Sequence, residues 1–223
     1  MKSNKLLLTS KAATCFLIFL FTFFSSARIM AADFYATPLG PGNMNGSDWE
    51  NAIPGEEIEN IINTVMKAGD RLILDDKGSF FNNLQITIAR GGSDISHPII
   101  IEGVETDDGY PLFKGADIST GVFIYLNASV SYISIKNLKI EDYKYAIETE
   151  EATSEPNEYI VLDGLDINNV TDGLYLRDLR NSTIKNCEVR YHTKRGVRLR
   201  TGCRNLEIID CYTDHNMGDY GNF

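Results

Sequence analysis

The chain has 223 residues, with 31 acidic against 21 basic side chains and a formal charge of −10, enough for one large domain or two small ones. That balance excludes a general nucleic-acid binder, and an acidic partner would need a local basic stripe or a bridging cation. Four cysteines without paired spacing exclude a disulfide framework, and the sequence holds no P-loop, HExxH or GxSxG motif.

Residues 1–32 read as an export signal. Lys2, Lys5 and Lys11 precede the apolar run "CFLIFLFTFF", and small residues follow at "SSA" and "MAA". Cleavage after Ala27 or Ala32 is expected; the run is short for a membrane span, and an uncleaved anchor is the alternative. The mature chain is then secreted, periplasmic or held at the cell surface, with no membrane span. Losing Lys2, Lys5, Lys11 and Arg28 removes four bases and no acid, so it is more acidic still.

The Gly/Asn/Pro-rich stretch "TPLGPGNMNGSDW" is a loop in which Trp49 packs locally. The next segment, "GEEIENIINTVMKAGD", places Ile58, Ile61, Ile62, Val65 and Met66 on one helical face, with Gly69 as a stop. One apolar stripe suits a helix lying over the open end of a β-stack. Short strands follow at "RLIL", "LQITIA", "PIIIEG" and "VFIYL".

From residue 135 one phrase recurs: "IKNLKI", "LDGLDI", "IKNCEV" and "IIDCYT". Ile135, Leu162, Ile184 and Ile208 are spaced 27, 22 and 24 residues apart, and other apolar columns keep the same offsets. These columns are Ile133/Ile160/Ser182/Leu206, Leu138/Leu165/Cys187/Cys211 and Ile140/Ile167/Val189/Thr213. Alternation within each copy is strand periodicity, and the period implies a solenoid. The slot between the two strands holds Asn137, Gly164, Asn186 and Asp210, the residue types that best tolerate a left-handed backbone. Each copy is therefore one corner of a coil. A third strand per coil follows a variable loop, at "AIETE", "GLYLR" and "GVRLR", with Ile147, Leu174, Val197, Thr149, Leu176 and Leu199 pointing inward. The prediction is an all-β chain. It is a right-handed parallel β-helix with three short strands per coil and an N-terminal capping helix, filling residues 33–223.

The order "FYATPLGPGNMNGSDWENAI", helix, "AGDRLIL", "HPIIIEG" resembles the opening of secreted bacterial right-handed parallel β-helix proteins of the pectin-lyase-like superfamily, over nearly all of residues 33–223. The segment "TGCRNLEIIDCYTDHNMGDYGNF" resembles, over about one coil, the turn before the active site in family 9 polysaccharide lyases. That second resemblance implies Ca²⁺ held by aspartates of this coil and the next, and a lysine that abstracts the sugar C5 proton. Asp214 and Asp219 match the aspartates of the first coil. The other acids and the lysine would lie beyond Phe223, and the chain reads as the N-terminal part of a longer β-helix whose terminal cap is missing. Calcium takes about 6–8 oxygens, so Asp214 and Asp219 are part of a site at most; the plainer reading is a pair of solvated turn residues.

The outward columns of the third strand are Glu148/Tyr175/Arg198 and Glu150/Arg177/Arg200. Rungs about 4.8 Å apart make these side chains neighbours. The functional reading is a groove in which Arg177, Arg198 and Arg200 bind carboxylates of an acidic polysaccharide while Tyr175 stacks on a sugar. The plainer reading is a ladder of Glu150–Arg177 and Glu148–Arg198 ion pairs, worth about 0–1 kcal/mol each. Lys194, in the neighbouring loop with Arg195, is the candidate base inside this chain. His97, His192 and His215 read as surface loop residues, and Cys187 and Cys211 as inert buried thiols, with Cys203 in a loop.

Three functions follow from this pattern. One is a Ca²⁺-assisted lyase acting on a uronate polymer such as pectate. Another is a glycoside hydrolase using paired carboxylates about 5–9.5 Å apart. The third is a glycan-binding surface module without turnover.

Overall fold

The structure, a computed structural model, describes residues 31–152 and 155–214. The expected export signal, His215 and Asp219 lie outside them.

Strand pairing follows the repeat spacing. Ile135 lies beside Leu162, Leu162 beside Ile184, and Ile184 beside Ile208, all in parallel. On the next face Ile140, Ile167, Val189 and Thr213 stand in one row. On the third face Ile147, Leu174 and Val197 do the same. The inward members of these rows are buried through the middle of the stack, which removes about 1.5–3 kcal/mol worth of apolar surface from water per large side chain. The first strands of all coils form one eight-stranded parallel sheet, running from Ile53–Pro54 and Asp33–Thr37 at one edge to Arg204–Ile209 at the other. The second and third strands share a nine-stranded sheet. The chain thus winds as a parallel β-helix, closed inside by the apolar rows and by an aromatic column of Phe81, Phe113, Phe123 and Tyr143 with centroids 4.3–5.6 Å apart.

The corner slot is left-handed in all four repeated copies: φ is 57° at Asn137, 64° at Gly164, 52° at Asn186 and 50° at Asp210. Two more left-handed columns accompany it. Tyr132, Tyr159, Asn181 and Asn205 have φ of 60°, 55°, 48° and 52°, and Asp142, Asn169 and Tyr191 have 62°, 49° and 54°. A tyrosine in this region is strained by about 1–3 kcal/mol. The Tyr132 and Tyr159 rings offset part of that by stacking 5.0 Å apart at 3°, an arrangement worth about 0.5–1.5 kcal/mol. Asn205 then donates to Asn181 at 3.0 Å, continuing the ladder.

Three short strands per coil are present in the coil of Ser131–Lys136, Lys139–Glu141 and Tyr145–Thr149. In the next two coils the second and third strands merge into Asp166–Leu176 and Glu188–Leu199. The merger occurs because the backbone between them keeps parallel partners across the corner, through Val170 beside His192. Lys194 and Arg195 therefore lie in a strand, not in a loop. His192 is fully buried rather than a surface residue. His97 is exposed as expected and faces Asp94 at 3.0 Å.

Residues 55–65 form one short helical run that starts tight (Gly55–Glu57), passes through Ile58–Asn60 and widens into a π turn (Ile61–Val65). Ile58, Ile62 and Met66 are fully buried. Val65, expected on the same stripe, is exposed, because the widened last turn carries it off that face. The polar side of the run covers the sheet edge. Glu59 accepts from the Thr87 amide at 2.7 Å, while Asn63 donates to the Thr87 carbonyl at 2.7 Å and accepts from the Ala89 amide at 2.9 Å. Strand Ile86–Ile88, at the end of its sheet, thereby finds partners for its unpaired backbone groups. Trp49 packs locally, edge-on to Tyr35 at 4.8 Å and under the Lys77 ammonium at 4.3 Å.

At the other end, Leu199 is 45% exposed although its row predicts an inward position. Strand Tyr212–Asp214 pairs only with Glu188–Arg190, so the far half of Glu188–Leu199 has no described strand over it. Cys187 is buried, and burial pushes its thiol up to about 12. Cys211 and Cys203 are half-buried against the core.

Candidate functional site

The third-strand face carries Glu148, Tyr175, Arg177 and Arg198 from the sequence reading and adds Tyr125, Lys144, Tyr145 and Asp172. One outward row runs Tyr125, Glu148, Tyr175, Arg198 across four rungs, each residue registered on the next. Beside it run Tyr145, Asp172 and Arg195. The Tyr145 and Tyr175 rings lie 5.1 Å apart, tilted by 39°. The Arg177 and Arg198 guanidinium carbons sit 4.7 and 4.6 Å from the Tyr175 centroid, and the Lys144 ammonium 4.8 Å from that of Tyr145. Cations over aromatic faces are attracted by the ring quadrupole, more so when half-buried as here.

The ion pairs are not those of a simple rung-to-rung ladder. Arg177 pairs with Glu148, not with Glu150. Its Nε also donates to the Thr149 carbonyl at 3.1 Å, and the buried Thr149 hydroxyl bonds both the Arg177 amide and its carbonyl at 2.6 Å. Arg177 is thus held by four bonds to one neighbouring rung. Glu150 instead accepts from the Ala128 amide at 2.9 Å. Arg198 faces Asp172, Nη1 to Oδ2 at 3.7 Å, rather than Glu148. Arg200 is exposed, its backbone amide donating to the Leu176 carbonyl at 2.8 Å.

Asp172 is the residue that sequence periodicity missed. It precedes Gly173, where the third-strand pattern starts, so the alternation does not reach it; its register with Tyr145, at the same 27-residue spacing, is the signal that finds it. Its side chain is fully buried, and neither carboxyl oxygen accepts a hydrogen bond from a described residue. Burial raises its carboxyl above the ordinary range, opposed by Arg198 first, then Arg195, Lys194 and His192. Glu148 is raised by burial as well, against Arg177 and Lys144. Two neighbouring rungs therefore carry carboxyls shifted the same way, each under a guanidinium.

Lys194 sits at an irregularity. Between Val170 and Asp172 lies one residue, while between their partners His192 and Arg195 lie two. The extra residue is a β-bulge, a device that re-aims side chains and gathers beside functional sites.

Asp214 ends strand Tyr212–Asp214, where its carboxylate accepts from the Tyr212 hydroxyl at 2.7 Å. Among the described residues no cluster of three or more acidic, His or Cys side chains is placed to hold a metal. Asp214 supplies one carboxylate, so the described residues do not by themselves fit a calcium site. Lys136, Asp163 and Lys185 share a row on the first-strand face, with Lys185 3.3 Å from Asp163. This row, like the neighbouring Arg190 between Asp166 and Glu188 at 3.2 and 3.1 Å, is surface pairing. Among the described residues no helix is long and apolar enough to cross a membrane.

No curated protein sequence matches the chain. Among solved structures it is similar to an alginate lyase from Paenibacillus sp. str. FPU-7, with 13% identity and a TM-score of 0.57 over 84% of this chain and 76% of that one. It is also similar to the GH136 lacto-N-biosidase from Eubacterium ramulus, with 15% identity and a TM-score of 0.61 over 95% of this chain. The chain spans less than half of that enzyme, 46%. Identities this low show a shared fold alone. The model of the right handed beta helix region matches residues 63–221, and the chain belongs to that family.

Proposed function

We propose that this chain is an exported carbohydrate-active protein whose third-strand face binds a uronate-containing polysaccharide, and that it cleaves the polymer by β-elimination. The observation that carries this reading is the clustering of Lys144, Arg177 and Arg198 over the Tyr145 and Tyr175 rings, with Arg195 in the adjoining row beside Asp172, on a chain whose net charge is −10. Guanidinium groups match carboxylates in shape and charge, and a groove that reverses the sign of the whole chain concentrates an anionic polymer locally. The alginate lyase likeness supports the fold's compatibility with such a substrate.

Elimination needs the sugar carboxylate neutralised, so that the adjacent C5–H becomes acidic. Arg198 and Arg200 take that role in this reading; Arg177 is already held by Glu148 and Thr149 and acts to position the Tyr175 ring. A base takes the C5 proton, the C4–O bond breaks, a C4–C5 double bond forms, and the departing oxygen is protonated. Lys194, at the bulge, is the base in this reading. Calcium at Asp214 and Asp219 belongs to the proposal as a further aid to carboxylate neutralisation, with no step assigned to it.

A hydrolase is the second reading, favoured by Glu148 and Asp172, two carboxyls on adjacent rungs held toward their protonated forms by burial. Hydrolysis requires one such acid beside an ionised partner. Product chemistry separates the two readings. Incubation with pectate and alginate should release an ultraviolet-absorbing unsaturated product, decreased about tenfold or more by Arg198→Ala or Lys194→Ala. Saturated reducing ends instead would favour the hydrolase. Retention of polymer with no product would reduce the protein to a binding module, and chelator treatment tests the calcium.

A further inference from the structure

We propose that Asp172 is the internal anion that a ligand carboxylate displaces from Arg198, so that binding an acidic glycan at this face takes up a proton. The inference rests on the proposed uronate-binding role and adds to it a positioning residue and a pH linkage.

Buried carboxylates normally accept several hydrogen bonds, and one that accepts none costs free energy that something nearby must offset. Asp172 is fully buried, accepts none from a described residue, and faces the Arg198 guanidinium 3.7 Å away, beyond hydrogen-bond length. Arg198 itself lies over the Tyr175 ring and keeps 22% of its side chain exposed. It is a guanidinium shared between an internal carboxylate and the exposed face.

The groups facing Asp172 from every packed strand fix the sign. On the following strand these are Arg198, Arg195, Lys194 and His192. On the preceding strand Tyr145 is its register partner, and the Lys144 carbonyl accepts from its amide at 3.0 Å. Arg198 is the largest of the charges favouring the ionised form, and burial opposes it. A ligand carboxylate that draws Arg198 outward removes that support and brings a second negative charge close. Both changes disfavour the Asp172 anion. A proton from solvent then binds the Asp172 carboxyl as the ligand seats, and by linkage the same site binds acidic glycans more tightly as pH falls through the range where Asp172 titrates.

The test is titration calorimetry of the full chain with an oligogalacturonate, at one pH, in buffers of different ionisation enthalpy. The slope of observed enthalpy against buffer enthalpy reports protons taken up. The wild type should take up a clear fraction of one proton. Asp172→Asn should take up close to none and, with Arg198 released, bind severalfold more tightly at neutral pH. The fully methyl-esterified oligosaccharide should show no uptake with either protein. Should Asp172→Asn fail to fold, Arg198→Gln leaves Asp172 in place; it should bind weakly with no uptake. Wild-type binding without uptake, or the same uptake in Asp172→Asn or from the methyl ester, overturns this inference while leaving uronate binding intact. Absence of binding to any acidic oligosaccharide overturns both.

Discussion

The corner at Gly164 offers the sharpest test of the coil architecture. Its φ is 64°, and a Cβ placed there would lie 2.5 Å from Oδ1 of Asn137, the corner residue of the preceding rung. Gly164→Ala therefore meets two separate penalties. A side chain in the left-handed region costs about 1–2 kcal/mol. Displacing the Asn137 amide from its rotamer costs about 0.5–1.5 kcal/mol more. The sum is about 1.5–3.5 kcal/mol, a fall in Tm of roughly 3–14 °C for a chain of this size. Only the second penalty depends on Asn137. In an Asn137→Gly background, which keeps the left-handed backbone at 137 and removes the colliding oxygen, Gly164→Ala should cost about 1–2 kcal/mol. Urea unfolding of the four proteins in the cycle, analysed by linear extrapolation, gives a coupling of about 1 kcal/mol. Equal costs in the two backgrounds would show that residues 137 and 164 are not stacked corners of adjacent coils. A cost below about 0.5 kcal/mol in both would remove the left-handed requirement itself.

Three further outcomes follow from the same geometry. Asn63→Ala removes the hydrogen bonds to the Thr87 carbonyl and the Ala89 amide and should destabilise by about 1–3 kcal/mol, with hydrogen-exchange protection lost first at Ala89; unchanged protection there would detach the helix from its capping role. Burial raises the Asp172 carboxyl in the folded state, so the folded chain holds that proton to higher pH than the unfolded chain does. Stability should therefore fall as pH rises from the ordinary aspartate range through the folded value, and Asp172→Asn should flatten that slope; a slope left unchanged would contradict the assignment. Cys187, buried and pushed up to about 12, should resist a thiol reagent in the native protein at mildly alkaline pH and label only on unfolding. Labelling at the rate of half-buried Cys203 would refute its inward position.

The coil was readable because a solenoid repeats its physics once per turn. Each rung needs a left-handed residue at the same corner and apolar side chains at the same inward positions, so spacing alone aligned Ile135 with Leu162, Ile184 and Ile208. The same logic located the outward row of Glu148, Tyr175 and Arg198. Corners occupied by Tyr132, Tyr159 and Tyr191 were not readable, because tyrosine is a poor left-handed residue, and at Tyr132 and Tyr159 its presence goes with stacking between rungs. The bulge at Lys194 was hidden for a related reason: one extra residue in a stretch without apolar alternation resembles a loop.

What the residue order determined by itself is therefore the winding of the chain, since the inward and corner positions are local requirements repeated along one axis. What only the tertiary structure decided is the pairing on its surface. Long side chains such as Arg177 and Arg198 reach more than one rung, and their choice of Glu148 and Asp172 is set by burial and hydrogen-bond geometry across rungs. Burial of Asp172 without a hydrogen bond arises from three adjacent coils closing over it, a condition that no single repeat encodes.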